Sequence, residues 1–305
     1  MKIQQLKFFV AVYEEGSFSA GAARVNATQS GLSMHVRQLE QRYGVILLER
    51  SSTGVIPTEA GRRFYDTAIA VLSASSRAED TLKELSGILA ANINVGLMPT
   101  FTGSVLSPAL LRFADEHSYV RVSIKEAYSG QLSKDVADGL LDFAVVPAYN
   151  NELNLKATPM GRDRECLVYR TGSGLVTGPV AALSKLPPLR MVLPSQANTR
   201  RARIEQYLAV NGIEVAEKME LDAMLGTLDL VAQSDWVSIL PGILSRQDLD
   251  GAKRIFTPLD APPLSVDYMR ITHKARPLSR AAQAFADTLQ EELNNALEID
   301  PVSAR

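Results

Sequence analysis

Residues 28–44 read TQSGLSMHVRQLEQRYG. Thr28 is a good N-cap, and Leu32, Val36, Leu39 and Tyr43 recur at helical spacing, so an amphipathic helix is expected with Gly44 as its stop. Its opposite face carries Gln29, Ser30, Ser33, Met34 and Arg37. Just upstream, Ser17 or Ser19 can cap a short Ala-rich helix, Ala20–Arg24, and Val25–Ala27 leaves room only for a tight connection. Two short helices at a sharp angle, the second polar on its outer face, are what a helix-turn-helix over about 18–37 needs to enter a major groove. Small side chains let the backbone approach the bases, Gln can bond adenine at two points, and Arg can reach guanine or phosphate. Helix pattern alone fits equally a three-helix bundle with a solvated polar face.

Upstream, Leu6, Phe9, Val10 and Tyr13 form one apolar helical face, closed by Gly16. Downstream, Val45–Glu49 and Val55–Ile56 read as short strands around the turn Ser51-Ser52-Thr53-Gly54. That hairpin is a wing, with Arg50, Ser52 and Thr53 at its tip and suited to phosphate or minor-groove contact. The wing favours a winged helix-turn-helix over a plain bundle. The DNA-contacting set is then Thr28, Gln29, Ser30, Ser33, Met34, Arg37, Arg50, Ser52 and Thr53.

The stretch LKFFVAVYEEGSFSAGAARVNATQSGLSMHVRQLEQRYGVILLERSSTGVIPTEAG, residues 6–61, resembles the N-terminus of the LysR-type transcriptional regulators. Gly16-Ser17-Phe18, Gln29-Ser30, Ser33, Leu39-Glu40, Gly44, Arg50 and Thr58-Glu59-Ala60-Gly61 carry the resemblance, in order and with matching spacing. Gly21 replaces the usual Ala, which should loosen the short helix. Leu48 replaces the usual Phe, and Met34 stands where a polar or basic residue is common. The resemblance implies double-stranded DNA as a partner, a dimer through antiparallel linker helices, and a tetramer through body–body contacts.

From Thr58 a helical stretch runs to about Ala91. Phe64, Val71, Ala78, Leu82, Leu85 and Leu89 recur at roughly 3.5-residue spacing, a stripe that asks for a partner helix. Packing on the protein's own body is the other way to cover it. Beyond it, residues 92–305 alternate strand and helix, which means α/β with mostly parallel strands. Strands are expected at Ile93–Met98, Val120–Glu126, Phe143–Val146, Cys166–Tyr169, Arg190–Leu193, Val215–Leu221 and Val237–Leu240. Helices are expected at Thr102–Glu116, Gln131–Leu141, Arg200–Gly212 and Met224–Ser234. Ser265–Thr272 reads as a return strand, and Ser279 can cap a last helix with Ala282, Phe285, Leu289 and Leu293 on one face. Glu126 and Glu220, Phe113 and Tyr207, and Val145-Val146-Pro147 and Ile239-Leu240-Pro241 correspond at one constant offset. That echo predicts two lobes of similar plan.

The expected organisation is a winged helix-turn-helix at 1–62, a linker helix at 63–91, and a two-lobed α/β effector domain at 92–305. Lobe I would hold 92–160 and 266–305, and lobe II 161–265. This is the plan of periplasmic-type binding proteins, and it resembles the effector-binding half of the same family. Ligands in open α/β sheets sit at the carboxyl ends of strands. There Pro99–Thr102 and Pro194–Asn198 are equivalent loops, each ahead of a helix whose first N–H groups favour an anion. The effector set is Thr100, Thr102, Ser129, Gln131, Ser195, Gln196 and Asn198, for a small molecule such as a carboxylate. One of Arg200, Arg201 and Arg203 could pair with it. Helix capping is the competing role for each hydroxyl and amide.

The chain has 305 residues, 22% of them charged, and a formal net charge of −2, which argues against a strongly basic nucleic-acid binder. The average hides an asymmetry. Residues 1–62 hold seven basic and five acidic residues, whereas residues 91–305 hold 22 basic and 25 acidic. The single cysteine, Cys166, excludes an internal disulfide and multi-cysteine metal sites. His35, His117 and His273 show no metal-ligand spacing, and no GxSxG, P-loop or SxxK pattern occurs. No run approaches the length of a membrane-spanning helix. The expectation is a cytoplasmic, non-enzymatic regulator without cofactor, metal or membrane partner. The alternative is a cytosolic small-molecule-binding or enzymatic α/β protein with an incidental N-terminal bundle.

Overall fold

The computed structural model describes residues 1–51, 54–85, 91–147, 155–196, 198–248, 250–260 and 262–298. The chain divides into two compact units, one formed by Met1–Asn92 with Asp138–Leu140, the other by the rest.

The first unit holds α1 (Ile3–Glu15), α2 (Phe18–Arg24), α3 (Gln29–Tyr43), the antiparallel hairpin β1 (Leu48–Ser51) and β2 (Gly54–Pro57), and α4 (Glu59–Leu85). Ser17 caps α2 through Ala20 N, and Thr28 caps α3 through Gly31 N at 3.2 Å. Leu6, Phe9, Leu32, Val36 and Leu39 are buried together with Leu48. Each such side chain contributes about 1.5–3 kcal/mol. Tyr43 is exposed, contrary to the sequence expectation, because the last turn of α3 runs past the core. Strand β1 starts at Leu48, not Val45, and Val45 and Ile46 are exposed.

Two motif residues fix the wing. Glu40 Oε1 accepts from Leu47 N at 2.8 Å and Leu48 N at 3.1 Å. A Cβ on Gly61 would lie 2.1 Å from the Leu47 carbonyl oxygen, so only glycine lets α4 start against the hairpin. Gly21 has a similar role. A Cβ there would come 3.0 Å from Val12 N, so glycine lets α2 seat tightly on α1. The expected loosening of α2 is thus offset by closer packing.

Helix α4 is shared between two environments. Phe64, Tyr65, Ala68, Ile69, Val71 and Leu72 pack on the head's own core. Tyr13 and Tyr65 stack at 4.1 Å, and Tyr65 donates to Glu14 at 2.5 Å. Ala78 and Leu82 are exposed. The first half of the apolar stripe is therefore covered by α1, not bare. The side chain of Leu85, and Leu89 with the end of the expected linker, lie outside the described residues.

The second unit is α/β. Lobe I contains β3 (Asn92–Leu97), α5 (Pro99–Thr102), α6 (Leu106–Glu116), β4 (Arg121–Glu126), α7 (Ser129–Asp138) and β5 (Phe143–Pro147). Strand β6 (Leu155–Arg170) then leads to lobe II, with β7 (Leu189–Leu193), α8 (Thr199–Val210), β8 (Val215–Glu220), α9 (Met224–Gln233), β9 (Trp236–Pro241) and β10 (Arg254–Pro258). The chain returns through β11 (Ser265–His273) and ends on α10 (Arg280–Leu297), capped by Ser279. The strand order is β4-β3-β5-β11-β6-β9-β7-β8, with β10 also on β6. The triplets β4-β3-β5 and β8-β7-β9 carry the repeat that the sequence echo predicted.

Strand β6 is the joint. Its residues Leu155–Arg164 pair with β11, and Glu165–Val168 pair with β9. Pro159, Gly161 and a run of charged residues hide its first half from pattern reading. Lobe II buries Leu167, Tyr169, Met191, Leu193, Ile204 and Ile239 in its own core.

Candidate functional site

The outer face of α3 follows from its capping and stripe. With Leu32, Val36 and Leu39 buried, the helical period turns Thr28, Gln29, Ser30, Met34 and Arg37 to solvent, while Ser33 is half-buried. Thr28 is also committed to its cap and accepts a weak bond from Ser30 at 3.5 Å. The first turn of α3 thus presents contiguous exposed polar groups on a rigid helix, the requirement for reading base edges. His35 on the same helix is half-buried and its ring lies 5.3 Å from that of Phe8, a packing role. Ser52 and Thr53 lie outside the described residues, as does the side chain of Arg50.

In the second unit a narrow cavity of about 40 Å³ lies at the carboxyl ends of β3, β5, β7 and β9. Of the residues grouped from the sequence, Thr100, Ser129 and Asn198 line it. Its walls are otherwise largely apolar, with Met98, Pro147, Leu193, Met224 and Leu240 among them. Thr100 is 3% exposed, and Thr227 on α9, 6% exposed, faces the cavity from the other lobe.

The remaining expected residues sit elsewhere. The hydroxyl of Thr102 bonds Glu126 and the Pro99 carbonyl, and the residue lines a separate hollow with Asp222 and Leu225. Gln131 is exposed and donates to Asp135 at 2.7 Å, because it points one turn further along α7. Ser195 and Gln196 do not line the cavity. The Ser195 N–H is held by Asp222 at 2.9 Å, and Gln196 is exposed. Asn198 is both lining and cap, since its side chain accepts from Arg200 N at 3.0 Å.

Two contacts close the cleft. Tyr128 donates to the Asp222 carbonyl at 2.5 Å, and the hydroxyls of Ser129 and Thr199 lie 3.2 Å apart. Tyr128 and Asp222 are 94 residues apart, so they are counterparts in the two lobes. Burial and the nearby Asp222 hold the Tyr128 hydroxyl above its ordinary pKa.

Arg200 is the cation on the cavity wall, and it is already paired. Its guanidinium meets Glu165 at 2.7 and 2.9 Å and donates to the Ile239 carbonyl at 3.2 Å. Arg201 is buried against the Pro194 carbonyl and Glu205, and Arg203 is exposed. Glu165 stands where β6 changes lobes. Two residues away, Asp163 accepts from Ile243 N at 2.9 Å and from Tyr268 at 3.0 Å. Burial pushes its carboxyl up to about 6, with Glu165 adding to the rise and those two donors opposing it. Tyr128, Glu165, Asp163 and Thr227 escaped the sequence reading. The offset of 94 could have found Tyr128, whereas nothing local marks the other three.

Cys166 is fully buried in the strand core. Among the described residues no group of His, Cys, Asp and Glu could hold a metal, and no helix is long and apolar enough to cross a membrane.

Comparison with known proteins covers both units. Residues 3–62 match the bacterial regulatory helix-turn-helix protein, lysR family, and residues 87–294 match the LysR substrate binding domain. The nitrogen assimilation regulatory protein nac of Klebsiella aerogenes is 24% identical over 290 residues, 95% of this chain and 94% of that one. The transcriptional regulator PgrR of Escherichia coli K12 is 28% identical over 235 residues, 75% of this chain and 76% of its own length. Among solved structures, the LysR family regulator CbnR superposes with a TM-score of 0.74 at 19% identity, covering 96% of this chain and 99% of the other. CbnR in complex with its target DNA gives a TM-score of 0.72 over 96% and 100% of the two chains.

Proposed function

The chain belongs to the LysR family of DNA-binding transcriptional regulators with an effector-binding domain, and from that premise we propose how its own residues divide the work. Residues 1–62 read DNA, 63–91 link and dimerise, and 92–305 sense a small molecule, with lobe I at 92–160 and 266–305 and lobe II at 161–265. The observation that carries the reading is the exposed first turn of α3 on a helix whose other face buries Leu32, Val36 and Leu39.

Gln29, Ser30, Ser33, Met34 and Arg37 contact base edges and Thr28 a phosphate, with Arg50, Ser52 and Thr53 following the backbone from the wing. The subunits pair through the C-terminal half of α4, where Leu82 is exposed, and assemble to a tetramer through the bodies. The protein works in the cytoplasm.

The effector binds between the lobes, against Thr100, Ser129 and Asn198. A small carboxylate suits this cleft because the positive end of α8 and the Arg200 guanidinium lie on one wall. Such a ligand would take the place of Glu165 on Arg200. Glu165 occupies the joint between lobes, so its release would change the lobe angle. Thr102, Gln131, Ser195 and Gln196, pointing elsewhere, support the loops that line the cavity.

The test is a reporter assay with Thr100→Val combined with Ser129→Ala. Loss of the inducer response with DNA affinity retained supports the cleft. A wild-type response would place the effector elsewhere.

A further inference from the structure

We propose that lobe I carries a second ligand site, for a compact molecule bearing a diphosphate group, where β6 and β11 meet the first turn of α10. The register pairs Arg270 with Thr158 and Thr272 with Lys156. Alternation along a strand puts these four on one face of the sheet. Ile271, on the other face, is buried with Leu132 and Val136. Beyond β11 the chain adds Lys274 and Arg276, and α10 opens on Arg280.

Lys156, Arg270, Lys274, Arg276 and Arg280 all line one concavity of about 750 Å³. Asp287 is the carboxylate on that lining, and it accepts from Gln283 at 2.6 Å. None of the five cations forms an ion pair among the described residues. This concentration stands out because residues 91–305 as a whole carry more acid than base. Nε of Arg270 is buried without an acceptor. A buried donor left unpaired is costly, so an acceptor brought to Arg270 would satisfy a group the fold leaves open. The start of α10, an 18-residue helix capped by Ser279 through Ala282 N, adds a positive dipole end.

A diphosphate matches this geometry better than a single carboxylate. It offers several acceptor oxygens to cations spread over both strands, the loop and the helix. The site is separate from the cleft. Thr272 pairs with Phe143 at the start of β5, whereas the cleft is lined by Pro147 at its end.

Calorimetric titration of the full-length protein at fixed ionic strength tests the site, with inorganic pyrophosphate and ADP as separate probes. Saturable binding of either probe is expected, weakened by at least about tenfold in Arg270→Met with Lys274→Met. Arg276→Ala, on an exposed loop, should weaken it less and guards against misfolding of the double variant. Tighter binding of ADP assigns a nucleotide, and tighter binding of pyrophosphate assigns the free diphosphate. No saturable heat with either probe overturns the proposal, as does equal affinity in the wild type and both variants. Loss of DNA affinity in the variants without any heat would overturn it in favour of a surface for DNA phosphates.

Discussion

The recognition face of α3 and the cleft between the lobes treat their polar groups in opposite ways. On α3, Gln29 and Arg37 stand in solvent on a helix fixed by its buried stripe. In the cleft, Arg200 is paired with Glu165, Tyr128 is bonded across the lobes, and the cavity is only about 40 Å³. DNA brings its own dense array of acceptors to a rigid surface, so the head has nothing to rearrange. On the proposed reading, a small ligand entering the cleft would break bonds that already exist. Exchanging those bonds would let the proposed site respond to occupancy, since they join the two lobes.

Breaking the Arg200 pair should have the largest effect. Glu165→Ala leaves a nearly buried guanidinium without its carboxylate, and a loss of about 3–5 kcal/mol is expected in urea unfolding. Gln29→Ala should leave that unfolding curve unchanged.

The joint should also respond to pH. Asp163 has its folded pKa raised, to about 6, so the native state holds its proton more tightly than the unfolded chain. Stability is then highest below the ordinary carboxylate range and falls as pH rises toward about 6. The fall is about 1.4 kcal/mol for every tenfold difference in proton affinity between the folded and unfolded carboxyl. Asp163→Asn should remove that decline, read from denaturation curves at a series of pH values. An unchanged slope would show that other groups set it.

On the head, Gln29→Ala should weaken specific DNA binding by about 1–3 kcal/mol while sparing non-specific binding. Titrations on cognate and scrambled duplexes separate the two. The smallest effect belongs to the latch. Tyr128→Phe removes one hydrogen bond, about 0.5–1.5 kcal/mol, and should lower the inducer concentration needed for response. A higher requirement would mean that Tyr128 holds the ligand and not the lobes.

The same contrast explains what could be read from the sequence. The head's elements are local. Thr28 caps α3, Leu32, Val36 and Leu39 repeat at the helical period, and Glu40 and Gly61 lie within a few residues of the hairpin they fix. The cleft is assembled from segments roughly a hundred residues apart. Which face of a loop points inward depends on packing, so the cavity takes in Thr100, Ser129 and Asn198 while Thr102, Gln131, Ser195 and Gln196 lie outside it. Glu165 and Asp163 sit on a strand whose charged residues look like a loop. Their partners, Arg200 and Tyr268, come from α8 and β11.

The central claim is that the exposed turn of α3 selects a DNA sequence. Its most direct test is repeated selection from a random duplex pool with the wild type and with Gln29→Ala combined with Arg37→Ala. The wild type should enrich a two-fold-symmetric motif with fixed half-site spacing. The variant, unfolding at the same denaturant concentration, should enrich none or a relaxed version. Enrichment of the same motif by both proteins would contradict the account.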